Sequence, residues 1–338
     1  MLSMVIAEES LSMKGHPIDA HQYNARVALT GSSGFIGRHL VFCLLRHGHT
    51  VTCVSRNPAE VEGTLQRRIS DYLDVNEVAQ AISSAEIVIH LAARAHIMKD
   101  TAASPTLEYR RANCDTALAV ANASASVGVK RFIFVSSIGV NGNRSTVPFK
   151  HSDAPKPKEL YAISKLEAEI NLRTFCANAG LPLVIVRPPL VYGPACPGNF
   201  ARLMRIIKRG LPLPLASIAN RRSYISIRSL TNFLSLCVTH PNAVNELFLV
   251  SDDDDVSTPE LVRLIANAMG KSPNLLPFPP RMLKYAAQML GRMAIYDGLA
   301  GDLQVDIEHT RKTLGWRPVQ TVKDGIFEMV QAFSNAQG

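Results

Sequence analysis

A short apolar run, Arg26-Val27-Ala28-Leu29, leads directly into Thr30-Gly31-Ser32-Ser33-Gly34-Phe35-Ile36-Gly37-Arg38, and a helix-like stretch over 35–47 follows. Glycines at three-residue intervals between a strand and a helix leave few folds open. One permits a tight turn, one lets backbone approach a ligand, and one lets the helix pack close to the sheet. The helix start then offers unpaired N–H groups and the positive end of a dipole. That combination suits the pyrophosphate of a dinucleotide, although the spacing is Gly-x-x-Gly-x-x-Gly and not the commoner Gly-x-Gly-x-x-Gly.

Downstream, strand-like and helix-like segments alternate. Val- and Ile-rich runs predict strands at 26–30, 50–55, 86–91, 131–136 and 183–187, each apolar enough to be buried on both faces. Helical stretches are expected at 35–47, 75–83, 106–127 and 158–179, with Gly48, Gly128 and Gly180 closing three of them. Alternation of this length predicts an α/β fold: a Rossmann-type, doubly wound parallel sheet. Beyond Arg187-Pro188-Pro189 proline and glycine become frequent, and helices are expected at 199–209, 229–239, 259–269 and 280–291. This texture predicts a smaller, mostly helical C-terminal substrate lobe. The expected division is 25–190 for the dinucleotide-binding domain and 191–338 for the substrate lobe, with the chain partly interwoven between them.

Composition narrows the function classes. With 47% hydrophobic and 19% charged residues, a chain of 338 residues can bury a sizeable core. The net charge of +8 comes from scattered basic residues and aromatics are only 6%, so nucleic-acid binding is not expected. An anionic ligand or a merely basic surface explains the charge better. Six cysteines without a Cys-x-x-Cys pair predict no metal site and a reducing, cytoplasmic location. Residues 1–24 lack a signal-peptide layout and read as a flexible N-terminal extension. No apolar run approaches the length of a membrane span, so stable membrane insertion is not expected. The segment from Met282 to Met293, apolar over much of its surface, reads as a packed helix in preference to a membrane-surface contact. Asp252 to Asp255 read as a solvated loop.

Tyr161 and Lys165 stand at i and i+4 of an expected helix, so they share a face. An ammonium beside a phenol favours the phenolate and predicts a lowered tyrosine pKa, which would make Tyr161 a usable acid/base. Ser136 and Ser137 close the preceding strand, at the sheet edge where ligands of such folds bind. A hydroxyl there can hold a substrate oxygen.

Together, the segments Thr30–Gly37, His90-Leu91-Ala92-Ala93, Phe134-Val135-Ser136-Ser137, Tyr161–Lys165 and Arg187-Pro188-Pro189-Leu190-Val191-Tyr192-Gly193-Pro194 resemble the extended branch of the short-chain dehydrogenase/reductase superfamily, the NAD-dependent epimerases and dehydratases of nucleotide sugars. The resemblance covers nearly all of 26–330. It implies that Ser137, Tyr161 and Lys165 are catalytic, with Tyr161 the acid/base and Lys165 on the nicotinamide ribose. It further implies that Gly31, Ser33, Gly34, Phe35, Ile36 and Gly37 cradle the pyrophosphate, that Asp71 lies near the adenine, and that Ala92, Ala93 and Pro188 flank the cofactor. Asn199 and Arg222 match places that contact the nucleotide diphosphate of a UDP-sugar. Relatives often form homodimers through a four-helix interface, here the helices at 106–127 and 158–179.

The sequence departs from the family pattern in three places. The carboxylate of NAD-preferring relatives is replaced by Ser55, followed by Arg56, while Arg38 comes directly after the last glycine; this predicts NADP(H) over NAD(H). An arginine common shortly before Gln304-Val305-Asp306 is missing. Ile138-Gly139-Val140-Asn141 after Ser137 brings no carboxylate, which disfavours a dehydratase. The resulting expectation is reduction of a 4-keto group on a UDP-linked 2-acetamido-6-deoxyhexose in surface-polysaccharide synthesis. The alternative is a UDP-glucose or UDP-N-acetylglucosamine 4-epimerase with bound NAD, and a non-catalytic NAD(P)-binding sensor is the reading from a different class.

Overall fold

The computed structural model describes residues 24–58, 61–95 and 104–336. Nearly all of the expected N-terminal extension therefore lies outside the described residues. The strands are β1 (Arg26–Thr30), β2 (Thr50–Ser55), β3 (Thr64–Arg68), β4 (Ile87–His90), β5 (Arg131–Val135), β6 (Leu183–Arg187), β7 (Leu190–Tyr192), β8 (Tyr224–Ser226) and β9 (Leu247–Leu249). Seven of them form one sheet in the order β3-β2-β1-β4-β5-β6-β9, every pairing parallel. β7 and β8 pair as a separate parallel ribbon.

Helices cover both faces of the sheet: α1 (Phe35–Arg46), α2 (Val75–Ile82), α3 (Pro105–Arg110), α4 (Thr116–Ser126) and α5 (Leu160–Ala179) in the first half. The second half contributes α6 (Asn199–Lys208), α7 (Ile227–Thr239), α8 (Thr258–Ala268), α9 (Pro280–Met289), α10 (Met293–Ala300), α11 (Glu308–Leu314) and α12 (Val322–Asn335). The period-two alternation of the strands sorts their side chains into two cores. Val27, Leu29, Val51, Ile89, Ile133 and Val184 pack with Leu40 and Leu44 of α1 and with Leu230 and Phe233 of α7. Ala28, Val88, Phe132, Phe134 and Ile185 pack on the other face, against Val78 and Ile82 of α2, Val120 of α4 and Leu172 of α5. Each fully buried apolar side chain contributes roughly 1.5–3 kcal/mol, so the two cores on the sheet hold much of the burial energy.

A third core lies off the sheet. Tyr192 and Tyr224 of the ribbon meet Phe200 and Met204 of α6, Val262 and Ile265 of α8, and Ile326 and Met329 of α12. The second half is shared between this core and the sheet, because α7, β9 and Trp316 belong to the sheet's own core.

Four local expectations differ from the structure. The stretch 106–127 is not one helix: a π turn, Arg111–Asp115, separates α3 from α4. α8 begins at Thr258, one residue before the expected 259, and Ser257 caps it in a capping box with Glu260. Asp252 is not solvated; it is buried and accepts bonds from the Tyr192 hydroxyl at 2.7 Å and Ser226 N at 2.8 Å. Neither α9 nor α10 buries a single residue, so the expected packing of Met282 to Met293 is not found.

Candidate active site

The C-terminal edge of the sheet gathers the expected site residues. Gly31 opens the turn after β1 with φ 75°, a left-handed conformation that favours glycine. A Cβ on it would stand 2.7 Å from Ala92 N, where the chain leaves β4. Gly37 is tighter still: its Cβ would meet Gly31 O at 2.2 Å. Gly34, the N-cap of α1, would meet only Gly31 O, at 3.3 Å. No side chain among the described residues caps this helix, and no carboxylate stands in its first turn. The N–H groups of Phe35, Ile36 and Gly37 thus lack intrahelical acceptors and can receive an anion. The side chains of Phe35 and Ile36 pack into the neighbouring cores.

The three glycines therefore have unequal roles. Gly37→Ala is expected to lower the thermal midpoint and to displace the turn, because its contact is with backbone. Gly34→Ala is expected to keep the wild-type midpoint while weakening dinucleotide affinity. Thermal unfolding and a dinucleotide titration of both variants check this.

Ser55 ends β2 with its hydroxyl buried and without a hydrogen-bond partner among the described residues. Arg56 is exposed beside it, and the two arginines Arg56 and Arg68 line an open cavity with Asn57 and Ser70. Arg38 is exposed, but its Nε donates to Ser33 O at 2.7 Å, so its guanidinium is held back on the turn. Asp71 pairs with Arg111 at 3.2 Å across the groove. A glycine cradle, an uncapped helix start and an orphaned hydroxyl at the ribose position together fit a dinucleotide.

On α5, Lys165 is 1% exposed, and its Nζ donates to Val135 O at 2.9 Å and lies 4.5 Å from the centre of the Phe134 ring. The Tyr161 ring centre is 6.0 Å from the same nitrogen. Phe134 stacks on His90, whose Nδ1 is 2.9 Å from Thr30 Oγ1 at the start of the glycine turn. A continuous chain of contacts thus joins Lys165 to the turn. Ser137 Oγ accepts from Gly139 N at 3.1 Å, and a Cβ at Gly139 would sit between Ser137 Oγ and Ala162, beside Tyr161. Pro188 is buried, and its carbonyl accepts from Ile138 N at 2.9 Å.

The expected lowering of the Tyr161 pKa is not found in the free protein. Burial pushes the phenol up to about 12, and Tyr109 nearby adds to the rise. Burial also pushes Lys165 down to about 7, against the opposing pull of Glu169. The i, i+4 spacing brings the two groups to one face, but desolvation outweighs their attraction. Burial and Lys165 together depress His90 to about 3, so this imidazole is neutral at working pH.

Lys165 has a consequence for stability. Between about 7 and its ordinary 10.5 the unfolded chain holds a proton that the folded chain does not. Stability therefore rises with pH through that window, and the penalty is fully present below it. Lys165→Met removes the titration. Its stability relative to wild type is expected to improve by a few kcal/mol, order of magnitude, as pH falls from 10 to 7, and to stay level below. Denaturant midpoints across pH check this; a pH-independent difference contradicts it.

Several polar residues escape a motif reading. Asn113, fully buried in the π turn, accepts from Arg94 N at 2.7 Å, and its Nδ2 donates to Arg94 O and to Ser164 Oγ. Between Ala112 and Cys114 it belongs to no motif; the π turn marks it as special. Beneath the site, Glu169 of α5 takes a two-point contact from Arg187 at the end of β6, at 2.9 and 2.5 Å. Ser136 Oγ donates to the same carboxylate at 2.5 Å, and Arg187 Nη1 donates to Asn141 Oδ1 at 2.8 Å.

The two expected diphosphate contacts lie in the second half. Asn199 is exposed at the first position of α6; the cap is Gly198, so the amide is not consumed in capping. Arg222 is half-buried, with Nη1 donating to Gly301 O at 2.8 Å. Near the place of the missing family arginine, Arg144 pairs with Asp297. Among the described residues no metal-holding cluster exists, and all six cysteines are free thiols.

A model of the NAD dependent epimerase/dehydratase family matches residues 27–250. The chain belongs to this family. The UDP-glucose 4-epimerase of Vibrio cholerae is 41% identical over 314 residues, spanning 92% of this chain and 96% of its own length. Among solved structures, MoeE5 with UDP-glucuronic acid and NAD aligns over 92% of this chain and 99% of its own, at 24% identity and a TM-score of 0.76. The UDP-glucose 4-epimerase of Thermotoga maritima, with UDP-glucose, aligns over 93% and 100% at 23% identity and a TM-score of 0.75. As a member of the NAD dependent epimerase/dehydratase family the protein is an enzyme, and its seven-stranded sheet is the fold of those neighbours.

Proposed function

We propose that the protein is a UDP-hexose 4-epimerase working with NAD. The observation that carries this reading is the 41% identity to the Vibrio cholerae enzyme along almost the whole of both chains. The gathering of Ser137, Tyr161 and Lys165 on the glycine edge supports it. NAD bound on the glycine turn would supply a reversible hydride acceptor for C4 of the sugar, which inverts when the keto sugar presents its other face. Tyr161 removes the proton of the 4-hydroxyl and gives it back to the inverted oxygen. Ser137 holds that oxygen with its hydroxyl. Lys165 orients the nicotinamide ribose and places its ammonium 6.0 Å from the centre of the Tyr161 ring. Arg222 and Asn199 bind the diphosphate, for which a forked guanidinium is well suited, and Asp71 marks the adenine end.

A second reading, net reduction of a 4-keto UDP-sugar with NADPH, is favoured by one observation. Ser55 ends β2 where a carboxylate is absent, and Arg56 and Arg68 line the neighbouring cavity together with Glu77, whose carboxylate is taken by Ser70. One experiment separates the two. UDP-glucose and UDP-galactose are incubated without added cofactor, and in parallel a 4-keto UDP-N-acetylhexosamine is incubated with NADPH or NADH. Interconversion in the first arm supports the epimerase. Absorbance loss confined to the NADPH arm, with tighter NADPH than NADH binding, replaces it with the reductase.

We also propose a homodimer through α3, α4 and α5, supported by outward-facing Leu107, Ile163 and Ile170, which are 62%, 43% and 55% exposed. Light scattering should give twice the chain mass, and Ile170→Glu should halve it.

A further inference from the structure

Among the described helices of eight residues or more, only α9 and α10 bury no residue. A helix of a globular protein normally turns an apolar stripe to the core. In α9 the stripe Met282, Tyr285, Ala286, Met289 and Leu290, at i, i+3, i+4, i+7 and i+8, faces outward. Met282 is 57% exposed, Tyr285 66%, and Met289 and Leu290 71% each. Ile295 of α10 and Leu276 before α9 are exposed as well. Apolar surface of this extent on one element marks an interaction site.

Charge says what covers it. From Lys271 to Tyr296 the chain contains no aspartate or glutamate. It contains Lys271, Arg281, Lys284 and Arg292, and all four are exposed. On the helical wheel Arg281 borders the apolar stripe beside Tyr285, and Lys284 lies further round on the same side, from where its long side chain can reach past an inserted apolar face. A second copy is a poor occupant, because a self-complementary contact would set this cationic patch against itself. An anionic bilayer satisfies both halves, taking the apolar stripe into the acyl boundary and the cations onto its headgroups.

We propose that the α9–α10 hairpin docks the protein on the surface of an anionic membrane. No helix among the described residues is long and apolar enough to cross one, so the attachment is peripheral. The hairpin runs into Gly301, whose carbonyl accepts from Arg222 and Asn220, and Leu299 O accepts from Thr258 Oγ1 at 2.6 Å. Docking therefore sets the wall of the substrate lobe against the headgroups. The inference does not depend on which sugar is turned over.

The test is flotation of the full chain with vesicles of phosphatidylcholine containing phosphatidylglycerol, and with phosphatidylcholine alone, at low and high salt. The protein is expected to float with the anionic vesicles and to be released by salt. Two variants, Met282→Ser with Met289→Ser and Leu290→Ser, and Arg281→Glu with Lys284→Glu, are each expected to lose at least about tenfold in vesicle partition. Both should keep the wild-type thermal midpoint and turnover of a soluble UDP-sugar. Absence of flotation overturns the proposal, as does flotation indifferent to either variant. So does a wild-type oligomer that the serine variant splits in light scattering, which would assign the patch to a second copy.

Discussion

Tyr161→Phe is expected to lower kcat by about 10²- to 10⁴-fold, the usual contribution of a positioned acid/base, with the NAD dissociation constant unchanged. The ring stays and only the hydroxyl goes, so the packing at the start of α5 is kept. The argument rests on the electrostatics of the site. Burial holds the phenol protonated up to about 12 in the free protein. The same burial leaves Lys165 titrating at about 7. A site that only bound dinucleotide would have no use for a buried lysine next to a half-buried phenol. Rate should therefore depend on Tyr161 and affinity on the glycine turn. Single-turnover rates and equilibrium titration separate the two quantities. Unchanged turnover in Tyr161→Phe would take the acid/base role away from this phenol.

The sheet was largely readable because its central strands are continuous Val and Ile runs, and parallel burial on both faces requires such runs. The edge strand β3 was not, because Thr64-Leu65-Gln66-Arg67-Arg68 is polar and mostly solvated. β9, only Leu247–Leu249, is too short to show a period. α12 carries Val322, Ile326, Met329 and Val330 at clean helical spacing, yet it lies beyond the family's motifs. In the site, residue types and order were legible: Gly31, Gly37, Ser137, Tyr161 and Lys165 all reach one edge. Their electrostatics were not. Spacing along a helix shows which groups share a face, whereas the Tyr161 shift is governed by how many atoms surround it. Asn113, Asn141, Glu169 and Arg187 were invisible for a related reason, since their partners lie far away in sequence.

That buried network leads to the second large effect. Glu169→Ala is expected to cost about 3–5 kcal/mol of folding stability, the usual result of leaving one member of a buried ion pair alone. Arg187 is 3% exposed and Glu169 2%, so water cannot replace the lost carboxylate. The carboxylate also takes Ser136 Oγ, the neighbour of Ser137, and thereby ties the end of β5 to α5 and β6. Removing both charges should be milder than removing one. Glu169→Met combined with Arg187→Met is expected to recover most of the denaturant midpoint, because no uncompensated charge remains. Activity should not recover with it. Glu169 holds Lys165 up against burial, so without it the lysine loses its proton at lower pH and the alkaline limb of the rate profile moves to lower pH. Denaturant midpoints of the single and double variants, read beside their pH–rate profiles, test the two halves separately. A single variant that unfolds at the wild-type midpoint contradicts the structural half, and an unmoved alkaline limb contradicts the electrostatic one.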